Sequence, residues 1–372
     1  MITKVTLQRF KCFEKPETVL LSKINLFAGC NGRGKSSFLQ ALLLIAQSID
    51  TEKRLNHIQI NGKFIELGTF EDIKNIKTKA KPTITFCTDD KAENIITLKI
   101  APHDKKPQWG QLFELNINDK KLVEKIGSAT GNENVKNAPT ALGATSTVAG
   151  LAQLHNVYYI SADRKGPTDF YKKNDNREDN HIGVHGEELI NLLAHKGDGF
   201  VKELAKHTSM ILSGATIAVK DIGTDYIKLI LDSSNDTQGF RPSNVGFGYS
   251  YILPIIATLL FAENSSKVFI ENPEAHLHPG AQSRLMNFMI EQSKIKNIQL
   301  FIETHSDHVI NCLRIAIAHK KLQRNDAGII YFSKSEDNKI TTTRINIDSQ
   351  GNLSDYPEGF MDEWGLQMSQ LV

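Results

Sequence analysis

The first part of the chain shows strand-like and helix-like patterns of apolar residues. Residues 2–10, ITKVTLQRF, alternate apolar and polar side chains, which is typical of a half-buried strand. Residues 23–28, KINLFA, form a second apolar run, and after a glycine-rich turn residues 35–48 show helical spacing. The pattern therefore predicts two strands, a turn and a helix near the amino terminus.

The next part of the chain predicts an antiparallel subdomain, a loop and a helical insertion. Residues 128–150 are rich in Gly, Ala, Ser, Thr and Asn, which favours a mobile surface loop. Short β-like runs precede this loop at 63–68, 82–88, 94–101 and 112–118. A buried strand at 156–161, helical periodicity at 185–213 and a hairpin at 216–222 and 226–233 are predicted after it.

Regular alternation of strands and helices begins at residue 267. Strands are predicted at 267–271, 297–304 and 327–333, and helices at 279–292 and 306–319. Alternation at this spacing implies right-handed crossovers and a parallel sheet, so the fold class is α/β. Residues 251–262, YILPIIATLLFA, are the most apolar stretch, and at this length they predict a buried helix.

These patterns divide the chain into five expected segments. They are an N-terminal lobe with the glycine turn and the antiparallel subdomain at 1–127, a flexible loop at 128–150, a strand, helical insertion and hairpin at 151–240, a C-terminal lobe at 241–335 and a small β-containing extension at 336–372.

Composition limits the classes of function. The chain has 372 residues and a formal net charge of +2, so it can build a large core and has no overall basic field that would indicate nucleic acid. The four cysteines form no CxxC pair, which fits a reducing cytosol better than a zinc site or a disulfide framework. Because no apolar run could span a bilayer and no signal-peptide pattern is present, we expect a cytoplasmic protein without a membrane partner.

A glycine-rich turn carries the strongest chemical signal. Residues 29–36, GCNGRGKS, match the phosphate-binding template G-x-x-x-x-G-K-[ST] between a predicted strand and a predicted helix. Glycines let backbone N–H groups curl around phosphate oxygens, and the helix directs its positive dipole end at the anion. Lys35 would reach the β- and γ-phosphates, and the Ser36 hydroxyl would ligate Mg²⁺. The predicted nucleotide-binding residues of the turn are Gly29, Asn31, Gly32, Gly34, Lys35, Ser36 and Ser37.

Two strand ends in the second half of the chain supply further candidate chemistry. Glu271 ends the apolar run KVFIE, and Asn272 and Glu274 follow it, so Glu271 is placed to hold Mg²⁺ directly or through water. His305 follows the next predicted strand, where it would contact a γ-phosphate. The alternatives are a plain acidic loop after a core strand and a structural histidine.

These motifs together resemble the ABC-type ATPases of the SMC/RecF/OLD-like AAA group. The resemblance covers nearly the whole chain and includes IELGTFEDI at 65–73, YYISADRKGP at 158–167, SNVGFGYSYILPII at 243–256, ENPEAHLHP at 271–279 and ETHSDHVIN at 303–311. The ending DSQGNLSDYPEGFMDEW is similar to a C-terminal domain of unknown function on many stand-alone bacterial members. The resemblance implies a P-loop NTPase head with a parallel-sheet core, an antiparallel β subdomain and a helical signature subdomain.

The resemblance also implies a composite nucleotide site. In such proteins two heads enclose two ATP molecules, each on the phosphate loop of one chain and under the signature segment of the other. The signature residues of this chain would be Ser243, Asn244, Gly246 and Gly248, which supply a hydroxyl and backbone amides as a second anion cradle. A homodimer or higher oligomer around ATP and Mg²⁺ is therefore expected, and a plain turn before an apolar helix is the alternative.

One position departs from the pattern of the group. The usual arrangement places a catalytic Glu directly after the metal-binding acid, and this chain has Asn272 there. An amide cannot take a proton from water at neutral pH. Either Glu274 serves as the base, or His305 and Asn272 only orient the water, or hydrolysis is slow.

Two functions fit the sequence. The first is an ATP-hydrolysing switch that dimerises on ATP and controls a separate effector, such as a nuclease in an anti-phage defence system of the Septu type. This choice assumes that the chain, which ends at Val372, has no room for its own nuclease domain. The second is a nucleotide-gated DNA-repair or DNA-binding module of RecF type that turns ATP over slowly or not at all, which Asn272 favours. A nuclease reading frame beside the gene would favour the defence hypothesis.

Direct binding of DNA or RNA also stays open. Two groups of lysines would have to form the basic patches, although solvated loops are the favoured interpretation. The groups are Lys74, Lys77, Lys79 and Lys81, and Lys120, Lys121 and Lys125.

Overall fold

The computed structural model describes residues 1–49, 55, 57–89, 95–118, 120–124, 151, 153–165, 170–172, 181–214, 216–222, 226–232, 240 and 247–371. The expected loop at 128–150 and the signature residues Ser243, Asn244 and Gly246 lie outside these ranges. The chain divides into two units, the first comprising Met1–Val157, Asn325–Asn346 and Leu353–Val372, and the second Tyr158–Arg324 and Ile347–Asn352. The chain therefore returns to each unit after leaving it.

The elements of the described residues are numbered in chain order. The strands are β1 (Ile2–Gln8), β2 (Glu17–Leu20), β3 (Ile24–Gly29), β4 (Ile58–Gln59), β5 (Thr83–Thr88), β6 (Ile95–Pro102), β7 (Trp109–Ile117), β8 (Lys120–Glu124), β9 (Val157–Ile160), β10 (Phe170–Lys172), β11 (Thr216–Ile222), β12 (Tyr226–Asp232), β13 (Lys267–Glu271), β14 (Gln299–Glu303), β15 (Ala327–Lys334) and β16 (Ile340–Ile345). The helices are α1 (Lys35–Ser48), α2 (Phe70–Ile73), α3 (Leu189–Lys196), α4 (Asp198–Leu212), α5 (Phe247–Phe261), α6 (Pro279–Lys296), α7 (Asp307–Ala318) and α8 (Glu363–Ser369).

An antiparallel sheet in the first unit has the strand order β2-β1-β5-β6-β7-β4, and β8 pairs with β7. In β1, Val5 and Leu7 are fully buried while Thr6 between them is only partly buried, as the alternating pattern predicted. One face of this sheet therefore packs on the core. The predicted antiparallel subdomain is confirmed.

A second set of strands in the first unit positions the glycine-rich turn. β15 pairs with β3 in parallel, and β16 pairs with β15 in antiparallel. β3 is buried continuously from Ile24 to Ala28, which is typical of an interior parallel strand. The turn leads from the end of β3 into α1, and residues 41–48 of this helix are all buried, so α1 is a core helix.

The second unit contains the parallel strands that sequence alternation predicted. Its strands follow the order β14-β13-β9, and β13 and β14 are parallel with Glu271 opposite Glu303. Helix α6 is the crossover between these two strands, and α7 follows β14. Helix α5 is buried from Ile252 to Leu259, which confirms the predicted buried helix. The predicted hairpin is formed by β11 and β12.

The helical region predicted at 185–213 consists of two helices, α3 and α4. They meet at Gly197, whose φ of 75° lies in the left-handed region that glycine adopts readily. The apolar spacing continues across this glycine, so periodicity alone does not show the break.

The prediction of a strand at 63–68 is wrong. These residues form a bend, with only an isolated bridge between Asn61 and Glu66, and strand β4 lies earlier in the chain. The cause is the buried side chain of Gln47 in α1. Its amide nitrogen donates to the Gln59 carbonyl at 2.6 Å, and its oxygen accepts from the Phe64 and Ile65 N–H groups at 3.2 and 3.0 Å. This side chain satisfies part of the backbone there, and backbone bonds from Gly62 to Ile65 and from Leu67 to Ile60 complete the bend.

The short strands β2, β8 and β10 are not indicated by the apolar pattern, and β16 lies in the extension at 336–372 for which β structure is expected without defined strand bounds. In β16, only the end residues Ile340 and Ile345 are buried, and the residues between them are TTTR. These strands form because an adjacent strand offers a hydrogen-bonding edge. Among the described helices, none is both long and apolar enough to cross a membrane.

Replacing Gln47 tests this account of the bend. We expect Gln47→Leu to lower the free energy of unfolding by about 2–3 kcal/mol, because it leaves buried backbone groups without partners. Urea denaturation measures the loss. Gln40→Leu in the same helix is the matched control, since Gln40 is only partly buried and accepts one hydrogen bond from Lys11. Equal losses in the two variants would contradict the proposed role of Gln47.

Candidate nucleotide-binding site

The glycine-rich turn at residues 29–36, the phosphate loop, adopts a backbone that needs its glycines. Gly29, Gly32 and Gly34 have φ values of 129°, 70° and 97°, in the left-handed region. A Cβ on Gly29 would lie 2.3 Å from the Phe332 carbonyl oxygen, and a Cβ on Gly34 would lie 2.9 Å from the Cys12 Sγ. A Cβ on Gly32 would meet nothing within 4 Å, so at that position the conformation alone favours glycine.

Lys35 is nearly buried, with 3% of its surface exposed. Its ammonium donates to the Gly29 carbonyl at 2.8 Å and to the Cys30 carbonyl at 3.1 Å. These bonds fold the side chain back over the phosphate loop. The two acceptors are neutral carbonyls, and a phosphate oxygen would form a stronger, charge-assisted bond with the same ammonium.

The start of helix α1 suits an anion. Gly34 is its N-cap residue, no side chain caps the helix, and its first turn contains no acidic residue. Ser36 and Ser37 lie in this first turn and are partly buried, while Asn31 and Gly32 are exposed at the tip of the loop. The predicted residues of the phosphate loop therefore surround a helix amino terminus, where backbone N–H groups and the helix dipole favour phosphate.

The acidic strand end belongs to the second unit. Glu271 is 9% exposed, and one of its carboxylate oxygens accepts from the Ala162 N–H at 3.2 Å. The Tyr159 hydroxyl lies close to the same carboxylate. Burial and the nearby Glu271 carboxylate raise the pKa of Tyr159 well above its ordinary value, so the phenol keeps its proton at neutral pH. Glu271 is thus fixed by a backbone amide and has a protonated phenol beside it.

A buried arginine, Arg164, donates hydrogen bonds to backbone carbonyls around Glu271. Arg164 is 2% exposed, and its guanidinium donates to the carbonyls of Ser161 and Glu271 at 2.9 and 2.7 Å and to that of Asn272 at 2.6 Å. It lies over the Tyr251 ring, 5.3 Å from its centroid. Burial lowers the pKa of Arg164 to about 10, while the Glu274 carboxylate acts in the opposite direction. Arg164 remains a cation at neutral pH.

Asn272, at the position of the usual catalytic acid, has a strained backbone. Its φ is 44°, and its N–H donates to the Glu303 carbonyl at 2.8 Å. Its amide oxygen is buried and has no hydrogen-bond partner among the residues that the structure describes. A buried acceptor of this kind needs a donor, and a water molecule would supply one.

Glu274 has a defined structural role. Its two carboxylate oxygens accept from the Thr304 hydroxyl at 2.8 Å and from the His305 N–H at 2.7 Å. Thr304 is fully buried, and His305 is exposed at the end of β14. Glu274 therefore fixes the backbone that carries His305. Whether Glu274 also acts as a base stays a prediction.

A magnesium ion at these residues would depend on phosphate oxygens. In the part of the chain that the structure describes, no group of three or more His, Cys, Asp or Glu side chains converges on one point. Mg²⁺ usually retains several waters and takes one or two protein oxygens together with substrate phosphates. Ser36 and Glu271 would supply those oxygens, and this assignment stays a prediction from sequence.

Of the four predicted signature residues, Gly248 alone falls within the described ranges. It lies in the first turn of α5, and a Cβ there would be 2.9 Å from the His276 carbonyl oxygen. Gly248 therefore permits close packing of α5 on the chain that follows Glu274. Its part in binding a nucleotide stays a prediction.

The sequence analysis did not single out Arg164, Tyr159 and Thr304 as site residues. Arg164 and Tyr159 belong to the segment YYISADRKGP that carries part of the resemblance. The signal available in the sequence was an arginine shortly after a predicted buried strand. A cation buried at that position would need several oxygen acceptors, so it indicated a structured strand end.

The chain belongs to the AAA ATPase domain family, which matches residues 1–310. Residues 322–371 match the family described as "Protein of unknown function (DUF3696)". Both matches confirm the resemblance, including the C-terminal segment. No curated protein matches the chain at significant similarity.

Solved structures show the fold. A SmcHead bound to the C-winged helix domain of ScpA is similar with a TM-score of 0.54 and 14% identity, over 93% of this chain and 98% of that one. An Smc head domain with an extended coiled coil, bound to the C-terminal domain of ScpA derived from Pyrococcus furiosus, gives a TM-score of 0.52 and 11% identity, over 100% of this chain and 99% of that one. The predicted fold class, an α/β P-loop NTPase head, is confirmed.

The role of Glu274 as a structural clamp can be tested without nucleotide. Glu274→Gln keeps one acceptor oxygen and places an NH₂ group where the second must accept, so one hydrogen bond is lost. We expect the free energy of unfolding to fall by about 1.5–3 kcal/mol, the range for bonds to a charged group. Glu291→Gln, on the exposed side of α6, is the control. If chemical denaturation finds the two variants alike, Glu274 is not a clamp.

Proposed function

We propose that this AAA ATPase binds ATP on its phosphate loop and works as a switch that dimerises around ATP and controls a separate effector. The observation that carries the proposal is the arrangement at the start of α1. A nearly buried Lys35, three glycines with positive φ and an uncapped helix amino terminus converge on one loop. This combination is suited to an anion with several charges, such as a nucleotide triphosphate.

Lys35 supports nucleotide binding by an exchange of partners. In the structure it bonds to the carbonyls of Gly29 and Cys30. When a nucleotide binds, the same donors would turn to the phosphates, and the charged acceptors would offset the loss of the carbonyls. The proposed Mg²⁺, held by Ser36 and Glu271, would reduce the phosphate charge.

The arrangement around Asn272 favours slow hydrolysis. The amide of Asn272 accepts no proton at neutral pH, and the Glu274 carboxylate already accepts hydrogen bonds from Thr304 and His305. Asn272 and His305 would then orient a water molecule rather than deprotonate it. This observation also supports a second candidate function, a RecF-type nucleotide-gated module that binds DNA or RNA and turns ATP over very slowly or not at all.

The partner of the switch is proposed by analogy. The similar Smc head domains were solved with ScpA domains bound to them, so a head of this fold can carry a partner protein. For this chain we propose a separate effector, with a nuclease in bacterial anti-phage defence as the first choice. If no nuclease gene lies beside this gene in any genome that carries it, that choice loses its support.

Removing the ammonium of Lys35 tests nucleotide binding. We expect Lys35→Ala to weaken ATP affinity by about 10- to 100-fold, the effect of losing charge-assisted hydrogen bonds. Isothermal titration calorimetry in Mg²⁺ buffer measures it, with circular dichroism as a check on folding. Lys339→Ala is the control, because Lys339 only pairs with the exposed Asp337. An unchanged affinity in a folded Lys35→Ala protein would remove the assignment of the phosphate loop.

Complementation between two variants tests the shared nucleotide site. Gly246→Arg should leave ATP binding to the single chain intact and abolish turnover, since the signature of each chain is proposed to act on the partner's nucleotide. A mixture of Gly246→Arg and Lys35→Ala proteins should recover part of the ATPase rate, because one of the two sites in a mixed dimer has both halves intact. Wild-type turnover by Gly246→Arg alone would exclude the composite site.

A further inference from the structure

The C-terminal segment of unknown function lies against the phosphate loop within the first unit. Its residues 357–362, PEGFMD, form a closed turn, here called the C-terminal turn. The Phe360 N–H donates to the Pro357 carbonyl at 3.0 Å, and the Gly359 N–H donates to the Asp362 carboxylate at 2.8 Å. Gly359 has a φ of 77°. These internal bonds give the turn a defined shape of its own.

Tyr331 of β15 connects the C-terminal turn to the phosphate loop. Its hydroxyl donates to the Glu358 carbonyl at 2.7 Å, and its ring packs edge-on against Phe360 with the centroids 5.4 Å apart. The same hydroxyl lies beside the side chain of Cys30, and both groups border Gly359. Tyr331 therefore anchors the C-terminal turn to β15 next to Cys30.

The turn also approaches Cys30 directly. A Cβ on Gly359 would lie 3.1 Å from the Tyr331 hydroxyl oxygen and 3.8 Å from the Cys30 Sγ. Cys30 belongs to the phosphate loop, and its carbonyl accepts from Lys35. Burial, with the nearby Cys30 and Asp362, raises the pKa of Tyr331, so the hydroxyl keeps its proton at neutral pH. Tyr331 therefore remains the donor to the Glu358 carbonyl at neutral pH.

We propose that the C-terminal turn, acting through Tyr331, holds the Cys30 end of the phosphate loop in one conformation and thereby raises its affinity for nucleotide phosphates. The inference rests on the ATP binding proposed above. A phosphate cradle works through backbone N–H groups with fixed directions, and a loop that is already ordered loses less conformational entropy on binding. Tyr331 and the turn are positioning groups, and they need not touch the nucleotide.

Two variants loosen the contact between the C-terminal turn and the phosphate loop in different ways, and a third variant is a control. Tyr331→Phe removes only the hydroxyl and keeps the ring packing on Phe360. Gly359→Val places a side chain against Tyr331 at a positive φ. Gly351→Val is equally strained, with a φ of 84° and a Cβ 3.0 Å from the Arg314 carbonyl, but it lies in the second unit. It perturbs the same C-terminal segment without touching Tyr331.

The first measurement is ATP affinity of the full chain by calorimetry in Mg²⁺ buffer. We expect Tyr331→Phe and Gly359→Val to raise the dissociation constant about three- to tenfold, the effect of losing one hydrogen bond, and Gly351→Val to leave it within about twofold. Unchanged affinity in Tyr331→Phe, or equal weakening in Gly351→Val, would overturn the proposal.

The second measurement needs no nucleotide. Iodoacetamide labelling of Cys30, followed by peptide mass spectrometry, should be faster in Tyr331→Phe and Gly359→Val than in wild type or Gly351→Val. The reason is that the turn lies close to the Cys30 Sγ, so a loosened turn covers the thiol less and the reagent reaches it more readily. If wild type binds no ATP, the proposed function fails, whereas equal labelling rates in all four proteins would refute the link between the turn and Cys30.

Discussion

The burial of a cation at the end of a strand is the constraint on which both parts of the candidate site depend. Lys35 and Arg164 are 3% and 2% exposed, and a charge taken out of water requires oxygen acceptors. At the end of a strand, the backbone carbonyls that follow its last hydrogen bond to a neighbouring strand need donors. In the first unit Lys35 meets the carbonyls that follow β3, and in the second unit Arg164 meets those that follow β9 and end β13. Each cation and each strand end therefore stabilises the other.

The two cations differ in what they can do next. Lys35 donates to two neutral carbonyls of the phosphate loop, and a phosphate oxygen would form a stronger, charge-assisted bond with the same ammonium. Arg164 has three carbonyl acceptors and a tyrosine ring around it, and these fix the backbone of Glu271 and Asn272. The lysine is suited to exchange partners, whereas the arginine is suited to keep them.

Local chemistry could be predicted from the sequence, and long-range contacts could not. Residues that are close together in the sequence determine the phosphate loop, the buried helix α5 and the strand–helix alternation. The fold class follows from these features. The bend at 63–68 depends on Gln47, whose partners lie 12 to 18 residues away, and Arg164 bonds to carbonyls 107 and 108 residues away. No pattern in a short window contains such contacts. The roles of the site residues remain predictions for the same reason, since they concern groups that are brought together only by the fold and by a ligand.

The match to the AAA ATPase domain ends at residue 310, yet the strand that positions the phosphate loop is flanked by later residues. β15, inside the match to the family of unknown function, pairs with β3 along its whole length, from Ile24 opposite Ala327 to Gly29 opposite Phe332. The Phe332 carbonyl leaves no room for a side chain at Gly29. The C-terminal segment thus supplies both a neighbouring strand and a steric boundary to the loop. The segment matched by the second family therefore helps to shape the phosphate loop that lies within the match to the first.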